Sequence, residues 1–263
     1  MITIIYAGPG AGKGCLQTHF IEDLYYKEGF DVMADCCSAI DEFNEENNRN
    51  LSKPSRVPFF SDFKVHFKID YEKEYETYFL NGFYFGLEND NLPVMFVPPY
   101  SKVFLSEVQR YYDSRQSKTF PDFVSRLYEM HRHYHLDIYL DLQRLGLLDL
   151  NIRELANRVI YIKDLKIIKN ELENVESVKW FCREFDSAKD ADSWLDENKN
   201  VGRDVEFVYY GDIFENYDSF SNFEKFIPDK YHDYSFLGHS DKTIYNEILM
   251  PAGYRNDKYK RNK

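Results

Sequence analysis

Ile2-Thr3-Ile4-Ile5-Tyr6-Ala7-Gly8-Pro9-Gly10-Ala11-Gly12-Lys13-Gly14 decides how this chain is read. An apolar run of strand type stops at a loop carrying Gly8, Gly10, Gly12 and Gly14, and a segment of helical pattern follows. Strand, glycine loop, lysine and helix together wrap backbone N–H groups around a phosphate chain and aim a helix N-terminus at it. Glycine suits the loop because the backbone must approach the phosphates in conformations that a side chain would block. Residues Gly8, Pro9, Gly10, Ala11, Gly12, Lys13, Gly14 and Cys15 are the expected nucleotide cradle, with Lys13 reaching the β- and γ-phosphates. The same residues in an ordinary βα turn are the alternative.

The loop departs from the consensus G-x-x-x-x-G-K-[ST] at two places. Ala7 stands at the first glycine, and Gly14 stands where a hydroxyl would ligate Mg²⁺.

The chain has 263 residues, 43% of them hydrophobic and 17% aromatic, with 22 Tyr and 22 Phe. That is enough to bury a large core, in one domain or a domain with an appendage. No run of 18 apolar residues occurs, so no integral membrane segment is expected. The first apolar residues have no basic stretch before them and lead straight into the glycine loop, which reads as strand one and not as a signal peptide. Cys15, Cys36, Cys37 and Cys182 lack C-x-x-C spacing and read as free thiols in a reducing cytoplasm. A net charge of −12 argues against indiscriminate wrapping of nucleic acid. The basic end, Arg255 to Lys263, reads as a solubilising tail, with a tether to nucleic acid or a membrane surface as the alternative.

Periodicity predicts a first strand over 2–6 and a helix from Lys13 to about Lys27 that Gly29 ends, followed by a second strand over Phe30–Ala34. Residues 38–100 read as an insertion or an elaborate crossover. It holds one or two strands in Phe59–Ile69, a helix over Glu72–Leu80, and turns at Asn89–Pro93 and Pro98-Pro99. Beyond it come a strand over Lys102–Glu107, a helix over Phe123–His133, a strand over Leu136–Gln143, a short helix over Asn151–Ala156 and a strand over Arg158–Ile162. This alternation predicts an α/β sandwich with a largely parallel sheet. From about Leu165 to Val208 the pattern changes to antiparallel strands with one short helix near Asp190–Glu197.

Three further elements bear on chemistry. Val103-Phe104-Leu105-Ser106-Glu107 has the form of the second acidic strand of a loop-type NTPase. Glu107 stands at the catalytic carboxylate, and Ser106 replaces the aspartate that reaches Mg²⁺ through water. Gln143 ends the neighbouring strand, where an amide can donate to and accept from a γ-phosphate or water. An arginine that stabilises the transferring phosphoryl group could be Arg153, Arg144, Arg132 or Arg115. His131, His133 and His135, spaced by two, do not share a helical face and are read as a helix end and not as metal ligands.

In order and spacing these motifs resemble the zonular occludens toxin (Zot) domain. They are Ala7–Lys13, Gly29–Ala34, Leu105–Gln109, His131–His133 through Ile138 to Gln143, Ile152–Leu155 and Tyr210–Ser219. The last looks like the Y-D-[ST] segment that closes that domain, so the resemblance spans roughly residues 1–220, with 221–263 as a C-terminal extension. Zot-like domains are P-loop ATPases of the FtsK–HerA type. The resemblance therefore implies a three-layer P-loop NTPase sandwich, ATP and Mg²⁺ as cofactors, and a homo-oligomer. It also implies action on phage DNA or phage assembly proteins in the cytoplasm of a bacterial host. Lys13, Glu107, Gln143 and Arg153 fall on its catalytic positions, and Ser106 on its metal position. A subunit that kept the fold and lost hydrolysis, and a small-molecule kinase, are the competing readings.

Overall fold

In the computed structural model of the chain, described over residues 1–48, 53, 58–61, 63, 65–70, 73–77, 83–86, 92–95, 99–110, 112–115, 128–197 and 200–217, a seven-stranded sheet organises the molecule. Its strands are β1 (Ile2–Tyr6), β2 (Phe59–Ser61), β7 (Lys102–Leu105), β8 (Asp137–Leu142), β9 (Arg158–Lys169), β10 (Val175–Phe185) and β11 (Arg203–Tyr210). They lie in the order β11-β10-β9-β1-β8-β7-β2. From β9 to β2 every pairing is parallel, whereas β9, β10 and β11 form an antiparallel meander. The five residues of β1 are all buried, as a central parallel strand covered on both faces requires.

Two apolar clusters flank the sheet, which makes the fold a three-layer α/β sandwich. Ile2, Ile4 and Tyr6 face one cluster, together with Ile152 of α2 (Leu150–Glu154) and Ala188 and Ala191 of α3 (Ala188–Glu197). Ile5 and Ala7 face the other, with Leu16, Phe20 and Ile21 of α1 (Lys13–Asn47). Both short helices are capped by side chains. Asp149 accepts from the amides of Asn151 and Ile152, and Ser187 and Asp190 exchange hydrogen bonds at the start of α3.

The 35-residue α1 replaces both the expected short helix and the strand expected over Phe30–Ala34. Val32, Cys36 and Ile40 recur every fourth residue and are buried, so packing overrides the helix-ending tendency of Gly29. At 1.5 Å per residue the helix is roughly 50 Å long. It outruns β1, which is under about 20 Å, and crosses the N-terminal ends of β7 and β8, where Lys102 pairs with Glu28 (3.0 Å) and Asp137 (2.5 Å).

Within the insertion, two antiparallel hairpins pair β3 (Val65–Asp70) with β4 (Lys73–Thr77) and β5 (Phe83–Gly86) with β6 (Leu92–Met95). The helix expected over Glu72–Leu80 is therefore β4 where described: Lys73–Thr77 pairs antiparallel with β3, and that pairing overrides its local helical pattern. The expected Phe123–His133 helix is described only from residue 128, where 128–130 is helical. The C-terminal extension lies outside the described residues.

Candidate functional site

The glycine loop leaves the C-terminal end of β1 at the middle of the sheet, between β8 and β9. It enters α1 through Gly12, whose φ of 78° lies in the left-handed region, as does Gly10 at 76°. No side chain caps this helix end and its first turn holds no acidic residue. The amides of the first turn therefore keep no partner inside the helix, and the positive end of the helix dipole faces the loop uncompensated. Gly8, Pro9 and Gly10 are exposed at the rim. The Cys15 thiol is buried in the second cluster, and burial pushes its pKa up to about 12, so Cys15 can contribute its amide but not a thiolate.

Three distant segments brace the loop. The Ala7 amide donates to the Leu142 carbonyl at the end of β8. The Trp180 indole of β10 donates to the Gly12 carbonyl (3.2 Å), and its ring stacks on His19. Leu165 of β9 closes on Gly12 from the same side: a Cβ on Gly12 would sit 3.0 Å from Trp180 Nε1 and 3.1 Å from a Leu165 methyl. The third segment carries Tyr217, whose hydroxyl stands against Gly14.

Lys13 is 7% exposed, and its ammonium lies 3.4 Å from the Gly8 carbonyl and 3.6 Å from Glu107 Oε1. Glu107 follows β7 and adopts a φ of 50°, a left-handed conformation that is strained for a residue with a side chain. Its amide is held there by a hydrogen bond to Asp141 Oδ1 (3.0 Å). The Gln143 side-chain amide donates to Glu107 Oε2 (3.2 Å), and the Gln109 amide donates to the same oxygen. Gln17, one turn into α1, donates to the Leu105 carbonyl (3.0 Å) and fixes the helix against the end of β7. Lys13, Glu107 and Gln143 are thus one hydrogen-bonded and charge-paired cluster beside the loop.

Asp141 was missed by the sequence reading. It lies inside β8, level with Ile5 of β1, and is 2% exposed. Burial raises its carboxyl pKa to about 7, against the pull of the Glu107 amide and of Lys13. Its only sequence signal is an acid between two leucines in the interior of a strand, two residues before Gln143 and so on the same face.

Ser106 is buried at the end of β7 beside Glu107. Arg153 is not brought to the cluster by its own chain, since it lies on α2 and pairs with Asp192 of α3 (3.6 Å). Arg115 pairs with Asp113 (2.5 Å), and Arg132 lines a cavity of about 540 Å³ with Met1, Lys102 and Asp137. His131 is buried against the Tyr128 carbonyl and His135 stacks on Tyr100.

Among the described residues no group of three or more His, Cys, Asp or Glu could hold a metal ion, and no helix is long and apolar enough to cross a membrane. The donor set fits a different kind of site. Mg²⁺ usually keeps several waters and binds through substrate phosphates plus one or two carboxylates, and Glu107 is a carboxylate beside Lys13 that suits such a site.

No protein-family model matches the chain, and no curated protein does. Among solved structures, the chain is similar to the N-terminal domain of zonular occludens toxin from Neisseria meningitidis (17% identity, 82% of this chain and 98% of that chain, TM-score 0.41). It is also similar to the genome packaging NTPase B204 from Sulfolobus turreted icosahedral virus 2 in complex with ATP-gammaS (9% identity, 72% and 93%, TM-score 0.36) and in complex with AMP (11% identity, 72% and 93%, TM-score 0.38).

Proposed function

We propose that the chain binds ATP in the loop from Gly8 to Cys15 and hydrolyses it to drive a phage-type assembly or DNA-translocation step. The observation that carries this reading is the buried Lys13 ammonium at the neck of an uncapped glycine loop, ion-paired to Glu107. A polyphosphate entering the loop meets free amides, a helix dipole and one ammonium, all favourable to anionic oxygen.

Each residue then has a task. Lys13 exchanges its contact with Glu107 for the phosphate oxygens. Glu107, released from that pair, orients or deprotonates the attacking water. Gln143 and Gln109 steer its carboxylate, and Gln143 reports the state of the γ-phosphate to β8. Asp141 is a positioning residue, holding the strained backbone of Glu107. Mg²⁺ carried by the nucleotide would be faced by Glu107, with Ser106 acting through water, and would supply charge neutralisation at the β- and γ-phosphates. Arg153 lies outside this cluster, so it serves only if it is presented to the site of a neighbouring subunit. The work driven by hydrolysis, and the homo-oligomer that performs it, follow the resemblance of Leu105–Gln109, Gln143 and Tyr210–Ser219 to the Zot domain.

The experiment is Mg²⁺-dependent phosphate release, with and without DNA, on protein of known oligomeric state. Turnover in the native chain and none in Lys13→Ala is the expected result, and equal turnover in both would end the proposal. Gly14 and Ser106 favour one competing reading, a nucleotide-binding structural subunit without hydrolysis. Tight ATP binding with no phosphate release under any divalent metal would select it.

A further inference from the structure

Gly14 is the most conspicuous departure in the loop, because a serine or threonine there would offer its hydroxyl to the metal of a bound nucleotide. The fold gives a steric reason for glycine. A Cβ placed on Gly14 would stand 2.4 Å from the Tyr217 hydroxyl oxygen, 2.5 Å from its Cζ and 2.9 Å from a ring carbon. Carbon atoms do not approach that closely, so the space a residue-14 side chain would need is already filled, and by a hydroxyl.

Tyr217 comes from a segment 203 residues further along the chain, and that segment is anchored. Ile213 is fully buried in the cluster beneath α1. Asn216 donates to Glu22 of α1 (3.4 Å) and to the Tyr209 hydroxyl (2.9 Å), and Tyr209 donates to the other Glu22 oxygen (3.4 Å). Asp212 accepts from the Phe214 amide and starts the single helical turn over Ile213–Glu215. The Tyr217 ring packs edge-on against Phe63, with centroids 5.7 Å apart. Its phenol therefore reaches the first turn of α1 from a fixed base.

We infer that Tyr217 supplies, from a distant segment of the same chain, the hydroxyl that Gly14 lacks, placing it at the metal side of the nucleotide bound by the glycine loop. This rests on the nucleotide reading given above and deepens it, because the loop is then complete only when the segment over 211–217 is docked. A phenol is a neutral donor and acceptor near neutral pH. It can accept from a metal-bound water or donate to a phosphate oxygen as an aliphatic hydroxyl does. It cannot do so if residue 14 carries a side chain, so glycine at 14 and tyrosine at 217 are one device.

The test measures the affinity of a fluorescent ATP analogue with EDTA and with Mg²⁺, together with the EPR spectrum of Mn²⁺ added with ATP. Tyr217→Phe keeps the ring and removes only the oxygen. We expect its metal-free affinity to stay within about twofold of the native chain and its Mg²⁺-dependent tightening to fall about tenfold, the loss of one hydrogen bond to a charged partner. Gly14→Thr should bind poorly, because threonine and the phenol compete for one volume. Gly14→Thr combined with Tyr217→Ala should regain the metal-dependent tightening, with an Mn²⁺ spectrum changed by the hydroxyl now offered to the metal. If Tyr217→Phe unfolds, that double variant carries the test. Unchanged Mg²⁺ tightening in Tyr217→Phe, or a Tyr217→Ala variant that binds nucleotide more tightly with and without metal, would overturn the inference and leave the nucleotide site standing. No binding by the native chain under either condition would remove both.

Discussion

Alanine placed in turn at Gly8, Gly10 and Gly12 should give three different stability losses, although the three residues lie within one short loop. A Cβ on Gly8 meets nothing within 4 Å and its φ is not left-handed. Gly8→Ala should therefore leave stability within about 0.5 kcal/mol, or raise it slightly by stiffening the unfolded chain. Gly10 also faces open space but has a φ of 76°, so alanine there pays only the left-handed penalty of about 1–2 kcal/mol. Gly12 has the same conformational demand at 78°, and its Cβ would press on Trp180 Nε1 at 3.0 Å and on Leu165 at 3.1 Å. Crowding in a packed site costs a further 1–3 kcal/mol or so, and displacing the indole strains its hydrogen bond to the Gly12 carbonyl. The total is about 2–5 kcal/mol. Urea unfolding without nucleotide, followed by circular dichroism, would rank the variants, with midpoints falling in the order Gly8→Ala, Gly10→Ala, Gly12→Ala. A Gly12→Ala variant as stable as Gly8→Ala would refute the claim that β9 and β10 clamp the loop. All three could still lose nucleotide affinity, so stability and binding must be measured separately.

The remaining expectations concern the cluster and the far side of the sheet. Glu107→Gln should keep ATP binding and lower phosphate release by 10²-fold or more, as loss of a general base does; quench-flow separates the two steps. Asp141→Asn keeps an oxygen for the Glu107 amide, whereas Asp141→Leu removes it. If Asp141 acts by holding Glu107, the asparagine variant should retain most turnover and the leucine variant should lose about tenfold or more in kcat. Acid stability should depend on Glu184. Burial pushes its carboxyl pKa up, but Arg158, then Arg203, outweigh that and hold it below the usual value. A pKa lower in the folded than in the unfolded chain means the stabilisation is complete above the ordinary glutamate value, about 4.3, and is lost as pH falls through the folded value. Glu184→Gln should accordingly flatten the acid limb of a melting-temperature profile between pH 5 and pH 3, roughly the window set by that ordinary value. Arg158→Ala, which leaves a buried carboxylate with one exposed partner, should cost about 1–3 kcal/mol at pH 7.

The sequence reading succeeded where the chemistry is local. β1, the loop and the start of α1 are contiguous, and the change from a short apolar run through glycines to helical spacing marks the junction. Glu107 and Gln143 drew notice because each ends an apolar strand, and pairing β7 with β8 brings them into hydrogen-bond contact. The strand expected over Phe30–Ala34 failed because Gly29 was given more weight than the four-residue recurrence of Val32, Cys36 and Ile40, which continues the helix. Asp141 has no periodic signature that sets it apart from Asp137 in the same strand; only the register of β8 against β1 and β7 reveals its neighbours.

Gly14 shows a different limit. As a motif defect it predicts a weakened site, whereas as a volume it is the complement of Tyr217, a residue that no short pattern connects to it. The same holds for Gly12, whose small size answers to Trp180 and Leu165. The glycine loop is therefore contacted from β8, from the β9–β10 hairpin and from the segment after β11, each docked through its own buried residues: Leu142, Trp180 and Ile213. Any ligand that moves the loop must do work against all three, and by reciprocity any partner that grips the hairpin or the terminal segment changes the loop's affinity for its ligand. A nucleotide-driven motor of the kind proposed would need such a coupling between the glycine loop and outlying surfaces, and the two glycines with the aromatic side chains that fill the space beside them would provide it.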